Sequence, residues 1–271
     1  MQMRLNDGGV SEAVGYIIIF GLVMTGIGLI TLYGYPVLMQ QESSANIKNM
    51  EQTMIVLQND VKSLTYKLVP YKETSLRVSG GTLKLVNRSV MDQTFTIAYN
   101  GPDVVTGFIP GELRYLSTKD NVVITLENGA VIERQVGQTG SFMLAQPRWY
   151  VDNNAGSRTL MINLVELGSQ MDQPFLSQTG VGTVRMRHYQ TLYWNPPGVA
   201  GPGATAIFRY HRNTDGTNDY DYSQAWRNFL TDTNGLAMTE VISGDPDISE
   251  FHLDNINNVV VKKYDLIVEE I

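Results

Sequence analysis

The sequence predicts an α+β protein in which a long N-terminal transmembrane and stalk helix precedes an antiparallel, β-rich sandwich or roll. Three observations predict it. Residues 13 to 39, AVGYIIIFGLVMTGIGLITLYGYPVLM, carry no charged side chain. An apolar stripe of helical period follows them. Beyond Pro70 the period shortens to two, in runs separated by Gly, Asn and Pro. The implied organisation is a leader-like segment over residues 1–12, a membrane helix over 13–39, an amphipathic stalk over 40–70 and a β-rich domain over 71–271.

At about 1.5 Å per residue, positions 13–35 reach roughly 34 Å, enough for a hydrocarbon core about 30 Å thick. A soluble core helix of this length would show charges on one face. A cleavable secretory signal has a shorter apolar core and a small-residue cleavage site after it, and no clear A-x-A site follows here. A membrane span is the expectation, with a buried helix or a removed signal as the alternatives. Tyr16 at one end, and Tyr33 with Tyr35 at the other, fit interfacial positions. Pro36 predicts a kink or break. Arg4 and the terminal amine precede the span and Glu42 is the first charge after it, which favours a cytoplasmic N-terminus and an extracellular C-terminal domain.

In the stalk, Ile47, Met50, Met54, Leu57, Val61, Leu64 and Leu68 alternate at spacings of three and four, an a/d seam. Lys48, Glu51, Asp60, Lys62 and Lys67 mark the wet face, and Pro70 ends the helix. The stripe packs either on the chain's own β domain or on the same helix in neighbouring copies. Each side chain buried contributes roughly 1.5 to 3 kcal/mol, so something covers it.

Next come the strand-like runs TLKLVN, TFTIAY, ELRYLS, NVVITLENGAVIERQV, TLMINLVEL, GTVRMRHYQTLYW, ATAIFRYH and NNVVVKKYDLIVEE, with SQAWRNFLTD as a short helix. Asn128-Gly129 between two apolar runs predicts a hairpin. NPPGVAGPGA, residues 195–204, reads as a long surface loop rather than a domain boundary.

Lys and Arg total 20 against 27 Asp and Glu, a net charge of -7, which offers no footprint for nucleic acid. Cysteine is absent, which removes disulfide and thiolate chemistry. His188, His211 and His252 are too scattered to suggest a metal site, and no nucleophile elbow, Walker loop or zinc-protease motif is present. Asp215, Asp219 and Asp221 around Gly216 would suit calcium, although a solvated turn explains them better. Asp245, Asp247 and Glu250 beside Pro246 read equally well as a turn. Asn87-Arg88-Ser89 is a glycosylation sequon. The expectation is a non-enzymatic protein without a cofactor.

NDGGVSEAVGYIIIFGLVMTGIGLI resembles the start of an archaeal type IV pilin or archaellin-like surface protein: a short polar leader, glycine, polar residues including Glu, then a long apolar helix. The resemblance covers residues 1 to about 40. It implies that a prepilin-type peptidase cuts before the helix, after Gly8 or Gly9, leaving a mature start at Gly9 or Val10. It also implies that Glu12 pairs with the terminal amine of a neighbouring subunit; the plainer reading places Glu12 near the helix start, facing headgroup water. Membrane lipid and other pilin-like subunits are the implied partners. The leading expectation is a subunit of a pilus-like filament or a surface adhesin. The alternative is a non-polymerising tethered protein that recognises a carbohydrate or cell-wall component through Trp149, Trp194 or Tyr210. An exported hydrolase ranks below both.

Overall fold

A computed structural model of the chain describes residues 7–67, 69–138, 140–154, 156–170, 175–194, 203–212 and 220–271. They fall into two compact units, Met1–Asn46 and Ile47–Ile271.

The first unit contains α1 (Asp7–Leu29), a π-helical turn (Ile30–Gly34) and the opening of α2 (Tyr35–Tyr66). Its apolar side chains are uncovered: Ile18 is 62%, Leu22 73% and Ile30 70% exposed. The Thr25 and Thr31 hydroxyls donate to the carbonyls of Gly21 and Ile27, four residues back, at 2.7 and 2.9 Å. Such internal bonding satisfies these hydroxyls within the helix itself. The break expected at Pro36 takes the form of the π turn. The Tyr35 N–H donates to the Ile30 carbonyl, five residues back. The wider turn accommodates a ring that would otherwise meet the preceding carbonyl, and α2 continues through it.

In the second unit the strands are β1 (Tyr71–Val86), β2 (Thr94–Tyr99), β3 (Asp103–Phe108), β4 (Glu112–Ser117), β5 (Val122–Glu127), β6 (Ala130–Gln135) and β7 (Ser141–Ala145). They continue with β8 (Tyr150–Asn154), β9 (Ser157–Ser169), β10 (Phe175–Trp194) and β11 (Ala206–His211). Helix α3 (Ser223–Thr231), β12 (Thr239–Val241), β13 (Ile248–Leu253) and β14 (Asn258–Glu270) complete it. One sheet has the order β7-β6-β5-β4-β1-β10-β14-β9-β8 and a second the order β12-β13-β11-β2-β3. The hairpin at Asn128-Gly129 forms as its sequence predicts. Glu127 pairs with Ala130, and both turn residues have positive φ, 48° and 76°, as a type I′ turn requires.

The antiparallel, β-rich expectation holds, with one strand pair running parallel. β14 runs parallel to β9, from Asn258 opposite Thr159 to Val268 opposite Ser169. β14 enters between β9 and β10, whose directions are opposed, and pairs antiparallel with β10. A strand inserted there must run parallel to one neighbour.

The large sheet is covered on both faces. On one side Ile132, Ile162 and Val261 meet Phe95, Phe208 and Phe251 of the small sheet, together with Trp226 and Phe229 of α3. On the other side Leu83, Leu85, Leu113, Tyr115, Ile124 and Leu126 surround α2. The sheet also curls, bringing β9 to the β4–β5 end. The Leu167 N–H donates to the Pro110 carbonyl at 2.7 Å, and the Val165 N–H to Asn128 Oδ1 at 2.9 Å. Gly111 permits the closure: its φ is +63°, and a Cβ there would lie 2.0 Å from the Leu167 carbonyl oxygen.

The roll therefore settles what covers the stripe. Met50, Met54, Leu57, Val61 and Leu64 are at most 1% exposed, enclosed by the chain's own strands, and Ile47 packs at the edge of that cluster. Assigning these five to contacts between copies is corrected, because their apolar surface is already consumed within the domain. Leu68 lies outside the described residues.

Candidate functional site

The predicted leader positions Gly8, Gly9 and Val10 fall within α1, and Glu12 is exposed on it. From Glu12 onward the chain presents a helix long and apolar enough to cross a membrane, with none of its most apolar window buried.

Several residues singled out by the sequence turn out to be structural. Asn87 is 1% exposed and its amide donates to Ser169 Oγ at 3.3 Å. A glycan attached there has no route to solvent, so the glycosylation candidate is corrected. Trp149 and Tyr210 are core residues. Trp149 Nε1 donates to the Asn163 carbonyl at 2.7 Å, and its ring meets Phe208 edge-on at 5.3 Å. Tyr210 is fully buried, and burial pushes its phenol well above the usual range. Neither is available to a sugar. His188 shares a hydrogen bond with Thr191, and His252 with Glu250, at 2.8 and 2.6 Å. Asp247 binds Arg212 at 2.7 Å, while Asp245 accepts the Asp247 N–H within the turn. Asp215, Asp219 and Gly216 lie outside the described residues; Asp221 Oδ1 accepts the Ser223 N–H at 2.9 Å. Among the described residues, no three His, Asp or Glu side chains converge as a metal would require.

Between the two sheets lies a buried polar network that strand alternation gave no cause to expect. Glu112 and Arg114 on β4, and Thr125 and Glu127 on β5, point toward α3 and the small sheet. Glu112 accepts from Arg114 and from Thr125 Oγ1, the latter at 2.6 Å. Arg114 lies 3.6 Å above the Tyr220 ring. Glu127 accepts from Gln93 and, at 3.2 Å, from Trp226 Nε1. Burial raises its pKa to about 7, partly countered by those hydrogen bonds and by Arg114. Glu112, Thr125 and Glu127 are fully buried. The network bonds α3 to the large sheet.

Among the described residues, two clefts open to solvent bring aromatic rings and cations together. Trp194 lines one of ≈ 540 Å³ with Arg88, Phe108, Glu166 and Lys263. Its cations are neutralised: Glu166 takes Arg88 at 2.8 Å and Lys263 at 2.5 Å, and Asp265 takes Lys263 at 2.9 Å. The other, of ≈ 470 Å³, is lined by Tyr66, Tyr150, Tyr193 and Tyr264 together with Arg148 and Lys262. Of the residues lining the second cleft, only Thr65 and Tyr66, in the stalk, lie in a segment the sequence marked as functional. The lining spans positions 65 to 264, a grouping that only the sheet creates.

These features define a class: an α+β chain whose N-terminal helix has the length and apolarity of a membrane span and whose β roll encloses the following helix. The chain belongs to a family of unknown function, DUF7289, which it matches over residues 9–269. No curated protein and no solved structure matches it significantly.

Proposed function

We propose that this is a pilin-like, membrane-anchored surface protein without enzymatic activity, a structural or minor subunit of a pilus-like filament or a surface adhesin. The observation that carries the reading is the uncovered apolar stretch over residues 13–39. Its exposed Ile, Leu, Val and Phe side chains form a far larger patch than water tolerates, so lipid or like helices cover it. The resemblance of residues 1 to about 40 to archaeal type IV pilins supports leader removal near Gly8 or Gly9, a cytoplasmic N-terminus and an external domain. Contacts between copies would run through the apolar stretch, because the stripe at Met50, Met54, Leu57, Val61 and Leu64 is used inside the domain. That same coverage favours a second reading, a tethered binding protein that does not polymerise.

Mass spectrometry of the native N-terminus, alkaline extraction of membranes and protease shaving of whole cells test the proposal together. A chain starting at Gly9 or Val10, retained in washed membranes or sheared filaments and shaved from outside, is the expected result. A mature chain lacking everything through Met39, or one free in the cytosol, overturns it.

A further inference from the structure

Helix α2 ends at Tyr66, but the large sheet runs on beyond it. On the face that carries α2, Val165 and Leu167 of β9 and Leu266 and Val268 of β14 belong to the apolar cluster. Two residues further along each strand the same face changes character. β9 presents Asn163 and Met161, β14 presents Tyr264 and Lys262, and β10 presents Thr191 and Tyr193. Register sets them side by side: Thr191 opposite Tyr264, Tyr193 opposite Lys262, Lys262 opposite Asn163, and Tyr150 opposite Met161. Tyr66 meets Tyr264 edge-on at 5.6 Å and closes one wall. The outer rings stay uncovered, with Tyr193 66% and Tyr150 41% exposed.

The charges here are unusual for an acidic chain. Arg148 lies 4.8 Å over the Tyr66 ring and Lys262 5.1 Å over the Tyr193 ring. No carboxylate lines the cleft among the described residues, and neither cation forms an ion pair with one. Lys263, one residue on and facing the opposite side, is held by two carboxylates. Lys62 stands close enough that Arg148, after burial, lowers its pKa. Among the described residues, positive charge is thus gathered without a counter-ion beside exposed tyrosine rings.

We propose that this cleft binds a short acidic saccharide, a sugar ring lying on Tyr193 or Tyr150 and its anionic group held by Arg148 and Lys262. The ≈ 470 Å³ of space falls in the range of small-ligand sites, about 300 to 1,000 Å³. Tyrosine supplies an apolar ring face and a polar rim at low entropic cost, and arginine favours planar anions. Nucleic acid is disfavoured by the net charge of -7 and the lack of a basic stripe. A peptide adding to β10 by strand pairing would use its backbone edge, not the face on which the cleft lies. The inference deepens the tethered-binding reading. It does not depend on leader cleavage or polymerisation.

The test is calorimetric titration of the full-length protein in a detergent without a sugar head group. The probes are trigalacturonate, a heparin-derived tetrasaccharide, neutral maltotriose, inorganic phosphate and an oligoglutamate peptide. At least one acidic saccharide should bind at least about tenfold more tightly than maltotriose, phosphate or the peptide. Tyr193→Ala and Lys262→Gln should each weaken that binding about tenfold, with circular dichroism melts unchanged. Absence of binding by both acidic saccharides overturns the proposal, as does an unchanged affinity in both variants. Phosphate or peptide binding as tightly as the saccharide also overturns it. Because the assay uses purified protein, its failure is separate from failure of the membrane and N-terminal measurements.

Discussion

Glu127→Gln should flatten much of the pH dependence of stability between about pH 5 and 8. Glu127 closes β5 in full burial, accepting from Trp226 Nε1 and Gln93 Nε2. Burial raises its carboxyl from 4.5 to about 7, against the opposing pull of those bonds and Arg114. A raised folded-state value means that the protonated carboxyl is the form the fold prefers. Its contribution is complete below about pH 4.5 and is lost as pH rises through about 7. At ~1.4 kcal/mol per pH unit, the whole loss is about 3 kcal/mol. Glutamine keeps the shape without the charge. Gln93 Oε1, which has no partner, can accept from the new amide once the Gln93 side chain turns. Urea denaturation of the full-length protein, followed by tryptophan fluorescence at several pH values, reads the effect. The native protein should lose about 2 to 3 kcal/mol more than the variant on going from pH 5 to 8. Glu133, raised to about 7 by burial first and then by Glu51 across from it, leaves both with a residual slope of the same sign. Parallel stability curves for the two proteins would refute the reasoning.

Four other outcomes are expected. Leu57→Ala, at a site with no exposure, should cost about 2 to 5 kcal/mol, whereas Val56→Ala on the wet side should stay within about 0.5 kcal/mol; equal effects in denaturation would place the stripe outside the core. Gly111→Ala should cost at least about 1 to 3 kcal/mol through its positive φ, and the clash with the Leu167 carbonyl should open the β9 contact, seen as faster amide exchange at Leu167. Val23→Lys places a charge midway along the apolar stretch, at about 2.5 to 3.5 kcal/mol of insertion free energy, and should reduce the fraction surviving alkaline extraction. Asn87→Gln should leave the intact mass of the native protein unchanged apart from the substitution itself; loss of a glycan mass would contradict the burial of Asn87.

How far the chain could be read in advance varies with the range of the interactions involved. The hairpin at Asn128-Gly129 was legible because two adjacent residues carry the whole turn. β3, β7, β8, β12 and β13 were not anticipated: they are short, and β3 and β8 carry Gly, Asp or Asn, so pairing partners rather than propensity make them strands. Glu112, Arg114 and Glu127 look like solvent-facing residues of alternating strands. A second sheet buries that face, and alternation cannot report what lies above it. The tyrosine cleft was illegible for a related reason, since β10 and β9 are joined only when the C-terminal strand, β14, enters the sheet between them.

Local pattern alone was enough to establish an uncharged helix of membrane length, an amphipathic continuation and a strand-rich remainder, since hydropathy and periodicity act over a few residues. Which surface met which was decided by packing in three dimensions. The stripe from Met50 to Leu64 is equally apolar whether a neighbour or the chain's own roll receives it, and only the curl of the large sheet, closed at Gly111, determines that the roll does.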